Sequence, residues 1–152
     1  DLCEPAVATA RNYAQAEGVT NVVFKAVDVS QFNDVEKFDL IFTFDAVHDQ
    51  AKPDVVLQNI HRALKPDGLY FMQDIAGSSA VANNMDHVIA PFVYTISCMH
   101  CMTVSLAQGG AGLGAMWGKE LALTMLKDAG FSRVDVERLE HDILNYYYLV
   151  RK

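Results

Sequence analysis

An apolar run from Phe38 to Phe44 (FDLIFTF), stopping at Asp45, limits most what this chain can become. It carries a single charge. Near-continuous apolar runs of this length suit strands buried on both faces of a parallel sheet. Parallel neighbours need a crossover, and the sequence supplies one. Residues 53–64 predict a helix, with Pro53 at its start and Val56, Ile60, Ala63 and Leu64 on one face. Lys65-Pro66-Asp67-Gly68 has the chemistry of a turn, and Leu69 to Met72 follow as a strand ended by Gln73-Asp74. Strand, helix and strand in this order predict an α/β fold with a parallel sheet.

The flanks extend the pattern. Residues 4–17 predict a helix opened by Pro5 and closed by Gly18. Asn21 to Val27 reads as a short strand stopping at Asp28. Residues 75–118 lose the alternation. Residues 119–129 restore an amphipathic helix capped by Gly130, and Phe131 to Leu139 and Ile143 to Val150 read as two strands paired antiparallel around Glu140-His141-Asp142.

Composition narrows the function classes. A chain of 152 residues, 51% hydrophobic and 20% charged, suits one soluble domain. A net charge of -7 argues against nucleic-acid partners. Three Cys form no disulfide framework and suit a reducing cytoplasm, and no targeting segment is visible from Asp1 onward. Val88 to Ala107 holds 20 residues without Lys, Arg, Asp or Glu, the length of a membrane span. It also contains Pro91, Thr95, Ser97, His100, Thr103 and Ser105, so it reads as a buried helix and no membrane partner is expected.

The chain resembles, over nearly all of its length, the class I S-adenosylmethionine-dependent methyltransferases, and three stretches carry the resemblance. Asp1-Leu2-Cys3-Glu4-Pro5-Ala6 resembles the acidic end of that family's second strand and the start of the next helix. Val27-Asp28-Val29 resembles its next acid-terminated strand. The third stretch is Phe38-Asp39-Leu40-Ile41 through Asp45, followed by Leu57, Ile60 and Arg62-Ala63-Leu64-Lys65-Pro66-Asp67-Gly68. HCMTVSLAQGGAGLGAMWG is similar to a bacterial-type subgroup with an N-terminal winged-helix-like domain when full length.

The family's sheet order is 3-2-1-4-5-7-6, and this chain starts where the second strand ends. The resemblance therefore implies the C-terminal part of a catalytic domain. Its sheet would be Rossmann-like, mostly parallel, with a C-terminal antiparallel hairpin and with the first two strands and the glycine loop absent. Residues 1–152 would form a single truncated domain, with 75–118 as an acceptor-binding or lid insertion. Methyl transfer from S-adenosylmethionine to a small-molecule acceptor is the implied activity, and the chain alone is expected to be inactive. The alternative is a non-catalytic α/β domain that associates with a partner, or forms a homodimer, through the exposed sheet edge.

By the same resemblance Asp1 accepts from the ribose hydroxyls, Leu2 and Val29 sandwich the adenine, and Asp28 accepts from its amino group. Each of these could equally be an ordinary surface or strand-end residue. Asp45 leaves the carboxyl edge of its strand, where ligands bind in open α/β sheets. It would lie beside the cofactor's amino-acid part. His48 is the general-base candidate, or else a structural His in a helix cap. Asp49, Tyr94, His100 and Trp117 are the acceptor-side candidates, with core packing the alternative for the aromatics. Cys98-Met99-His100-Cys101 lacks a second Cys pair, so no metal is expected and the segment reads as pocket-lining helix. Gly110-Ala111-Gly112-Leu113-Gly114 reads as a flexible lid, with a displaced cofactor loop as the other reading.

Overall fold

The computed structural model describes residues 2–152. The chain divides into two compact units, one ending at Phe32 and one spanning Asn33–Lys152.

The first unit is built on α1 (Glu4–Ala16), with Pro in its first turn. Gly18 turns the chain at φ +68°, a conformation that favours glycine. Arg11 pairs with Glu4 at 2.7 Å and donates to the Phe24 carbonyl at 3.0 Å, which ties the following segment to the helix. The strand expected at Asn21–Val27 does not form. A strand needs ladder partners for its backbone groups, and this run has none among the described residues. It leads into a short 3-10 turn, Val29–Gln31, capped by Asp28.

The second unit holds a four-stranded sheet of order β1-β2-β4-β3. Its strands are β1 (Phe38–Phe44), β2 (Leu64–Ile75), β3 (Arg133–Glu137) and β4 (Asn145–Arg151). This order reproduces the 4-5-7-6 end of the expected sheet. Only β1 and β2 run parallel; β2–β4 and β3–β4 are antiparallel. The sheet is therefore mixed rather than mostly parallel among the described residues. The reason is that α2 (Pro53–Ala63) is the one crossover joining neighbouring strands, and the chain re-enters the sheet as a hairpin.

Lys65-Pro66-Asp67-Gly68 does not separate helix from strand as expected. Phe38 pairs with Leu64 and Leu40 with Leu69, so β1 advances two residues where β2 advances five. The turn residues form a bulge inside β2. Lys65 reaches Asp39 at 2.7 Å across it.

One face of the sheet is covered. Tyr70 and Met72 of β2 lie opposite Val150 and Tyr148 of β4, all fully buried. The amphipathic α2 packs on β2 and against α5 (Lys119–Asp128), contributing Leu57, Ile60 and Ala63. Phe131, just past the Gly130 cap, sits between the rings of His61 and Tyr70. The other face is open at β1. Leu40, Phe42 and Phe44 are 44%, 52% and 59% exposed, so the run expected to be buried on both faces is half-buried on one, at Ile41 and Thr43, and exposed on the other.

Val88 to Ala107 also differs from expectation. It forms α3 (Ala90–Ile96), a π-helical turn (Ser97–Cys101) and α4 (Met102–Ala107) in one rod. Among the described residues, Ala90–Ala107 is one helix long and apolar enough to cross a membrane, and only 28% of it is buried. Val93, Ser97, Cys101 and Ser105 face inward at four-residue spacing. In an α-helix that spacing drifts about 40° per step. The wider π turn winds the drift back and keeps the four in line. Phe92 and Met99 face outward.

Candidate active site

The site is assembled where β1 and β2 end. Asp45 takes φ +45°, rare for a residue with a side chain and costing about 1–3 kcal/mol. Two bonds to one neighbour hold it there. Its N–H donates to the Gln73 carbonyl at 3.1 Å, and its Oδ2 accepts from Gln73 Nε2 at 2.9 Å. The reversal turns Val47 and His48 inward, to 1% and 3% exposure.

His48 Nδ1 lies 2.6 Å from Oδ1 of Asp74, which is fully buried at the end of β2. A carboxylate only accepts, so the imidazole donates through Nδ1. The same Oδ1 accepts from Trp117 Nε1 at 3.1 Å and from the Ile75 backbone at 2.8 Å. Asp74 Oδ2 is buried without a partner. On the far side of the ring, Nε2 lies 3.3 Å from Asp49 Oδ1. Burial alone would lower the His48 pKa. The hydrogen bond and charge of Asp74, then the charges of Asp49 and Asp45, outweigh burial and raise it above its ordinary value. Asp45 is raised as well, by desolvation and by the charge of Asp74. Cys101 completes the group against Asp49. Burial, followed by that carboxylate, pushes its thiol up to about 11.

The expected site residues separate into three sets. Asp45, His48, Asp49 and Trp117 come together, joined by Asp74. Nothing local in the sequence marked Asp74 beyond one signal: it follows Tyr70 and Met72 on the buried face of the strand, an acid in an apolar row. Tyr94 lies on α3, packed against Ala90, Val93, Cys101, Ala115 and Met116, with its hydroxyl accepting from Asn84 at 2.9 Å. His100 is exposed on the outer side of the rod. In the first unit, Leu2 is exposed, and Asp28 accepts from Ser30 N at 2.8 Å and Gln31 Nε2 at 3.0 Å, with Val29 in the turn it caps. Asp1 lies outside the described residues.

The glycine segment is packed rather than open. Gly110 N and Gly112 N donate to the carbonyl and hydroxyl of Ser105, Ala111 N to the Ala51 carbonyl, and Ala115 N to Ser97 Oγ. A side chain at Gly110 would collide with the Ala51 backbone, and one at Gly114 with Ser97. Close packing therefore accounts for Gly110 and Gly114, and the amides of Gly110, Ala111 and Gly112 are already engaged. Beyond the end of β2 a cleft of about 420 Å³ opens between Gly77, Ser78, His87, Lys119, Glu120 and Tyr146.

Comparison with known proteins gives a consistent fold. The citrinin polyketide synthase CMeT domain superposes with TM-score 0.72 at 19% identity, over 99% of this chain and 37% of that one. PigF, solved with SAH, gives 0.69 at 19% identity, over 97% and 41%. A SAM-dependent methyltransferase from Aquifex aeolicus gives 0.65 at 19% identity, over 99% and 65%. The chain thus spans between about a third and two thirds of these structures' lengths. Among curated proteins no sequence matches. A family described as methyltransferase domain matches residues 1–130, and the chain belongs to that family.

Proposed function

We propose that this chain is the C-terminal part of a class I methyltransferase catalytic domain, which transfers a methyl group from S-adenosylmethionine to a small-molecule acceptor. Family membership and the SAH-bound neighbour PigF support that cofactor. The observation that carries the reading is the buried Asp74–His48 pair beside Asp45 and Asp49 at the carboxyl edge of β1 and β2.

The charge there fits a cation. The carboxylates of Asp45, Asp49 and Asp74 surround one imidazole, and the charge of Asp74 adds to burial in raising the Asp45 pKa. S-adenosylmethionine carries a sulfonium and an ammonium, and when bound it supplies the electrophilic methyl. Asp45 would take the amino-acid end, Asp28 the adenine amino group with Leu2 and Val29 against the ring, and Asp1 the ribose. Asp49, Tyr94, His100 and Trp117 would serve the acceptor side. His48 would receive the acceptor's proton at Nε2. A cationic cofactor beside it would favour the neutral imidazole that this step needs. Most of the acceleration would come from alignment of acceptor and methyl. The net charge of -7 supports a small acceptor over a nucleic acid, and the cysteine usage supports a cytoplasmic setting. The full-length protein would carry a winged-helix-like domain before the missing strands.

Calorimetry of S-adenosylmethionine with the full-length protein tests the assignment. Asp28→Ala and Asp45→Ala are each expected to weaken binding at least about tenfold, the ratio that 1.4 kcal/mol produces. Unchanged binding in both variants refutes it. Methyl transfer by the purified 152-residue chain would refute its expected inactivity.

A second reading rests on the open face of β1. Among the described residues β1 ends the sheet, and Leu40, Phe42 and Phe44 lie on its open face, which suits pairing with a second copy. Light scattering should show a dimer that Phe42→Lys dissociates; a monomer at all concentrations removes this reading.

A further inference from the structure

We propose that His48, Asp49 and Cys101 form a binding site for one Zn2+ ion per chain, oriented by Asp74. The proposal goes beyond methyl transfer and stands without it.

The three ligand atoms all lie within 4.8 Å of one another: an imidazole nitrogen of His48, a carboxylate oxygen of Asp49 and the Cys101 Sγ. Tetrahedral zinc with bonds of about 2.0–2.3 Å sets its ligands about 3.3–3.8 Å apart, so modest side-chain rotation closes the set. His48 Nε2 and Asp49 Oδ1 are already 3.3 Å apart. Nitrogen, oxygen and sulfur donors together select zinc over calcium or magnesium. Asp49 Oδ1 has no hydrogen-bond partner although it is buried, an atom placed to accept a cation.

The support around the ligands is of the kind metal sites use. A metal-binding His commonly donates its other nitrogen to a carboxylate, which fixes the ring and its tautomer. Asp74 does this at 2.6 Å, and it is itself held by Trp117. Three protein ligands leave a fourth position for water or another donor. The expectation of no metal rested on the lack of a second Cys pair to complete four ligands around Cys98 and Cys101. The π turn separates them, with Cys98 outward and Cys101 buried beside Asp49. The Nε2 lone pair can take a proton or a metal ion, not both, so zinc would remove His48 as a base.

The test is optical, on the full chain, with Co2+ as probe and Zn2+ as competitor. One equivalent of Co2+ should give a thiolate-to-cobalt charge-transfer band and tetrahedral ligand-field bands, both erased by one equivalent of Zn2+. Cys3→Ser with Cys98→Ser should leave them intact, and Cys101→Ser should abolish the charge-transfer band. Asp74→Asn should weaken affinity by about 10–100-fold. Asp49→Asn, nearly isosteric, guards against loss through misfolding: with its circular dichroism unchanged, it should also lose affinity. Absence of the charge-transfer band in the parent chain overturns the proposal, as does a band that survives Cys101→Ser or disappears with Cys98. Because binding is read directly, failure of methyl transfer would leave this result standing.

Discussion

Replacing Asp74 by Ala removes the acceptor on which three donors converge. His48 Nδ1, Trp117 Nε1 and the Ile75 amide all end on one oxygen of a side chain with no exposure. Each stranded donor costs about 1–3 kcal/mol. The carboxylate's own desolvation is recovered, which offsets part of that loss. Breaking a buried charge pair from one side typically nets about 3–5 kcal/mol of destabilisation. At about 2–4 °C per kcal/mol for a chain of this size, the melting temperature should fall by about 6–20 °C. The assay is paired urea and thermal unfolding, with exposed Asp67→Ala as a control expected within about 0.5 kcal/mol. Trp117 is the only tryptophan and 4% exposed, so its emission should shift red as its indole loses this partner. A cycle with His48→Ala isolates the pair, and a coupling of at least about 1 kcal/mol is expected. Additive single and double variants, or a loss no larger than that of Asp67→Ala, would refute the view that Asp74 organises the site.

Two further outcomes follow from local geometry. Gly118 takes φ +81°, and a side chain there would strike the Ser79 backbone, so Gly118→Ala should cost more than about 1 kcal/mol in urea unfolding. Asp142 is held down to about 2 by hydrogen bonds from Tyr147 and Asn145. A depressed carboxyl stabilises the fold above its unfolded pKa of about 4 and loses that contribution as pH falls toward about 2. Asp142→Asn should therefore be less stable than the parent at pH 7, by about 0.5 kcal/mol after solvent screening. The two should converge near pH 2, and a gap independent of pH would contradict this account.

What the sequence disclosed was what local pattern can encode. FDLIFTF, the face of α2 from Val56 to Ala63, the Gly130 cap and the closing hairpin all appear where periodicity and turn chemistry put them. Non-local dependences were hidden. Asn21–Val27 has strand composition, but a strand exists only with a neighbour. The Lys65–Gly68 turn signal was real, yet it serves a bulge, because register with β1 decides what the turn connects. His48 stood out alone; the 26 residues separating it from Asp74, and the 52 separating Asp49 from Cys101, contain no pattern that links them. Residues 90–107 have a composition that suited burial, and only Ala90 and the inward row at Val93, Ser97, Cys101 and Ser105 obey it.

The π turn in that rod makes its length matter more than its spelling. Ser105 Oγ donates to the Gln50 carbonyl and accepts from Gly112 N only because five residues occupy the turn from Ser97 to Cys101. Deleting one would restore ordinary α winding and rotate everything after it by about 100°, carrying Ser105 off both partners at once. Phe92 and Met99, facing outward, can change identity without touching that alignment. The rod thus works as a gear with a fixed tooth count: paint on its outer side is free to vary, while losing one tooth disengages the loop it drives.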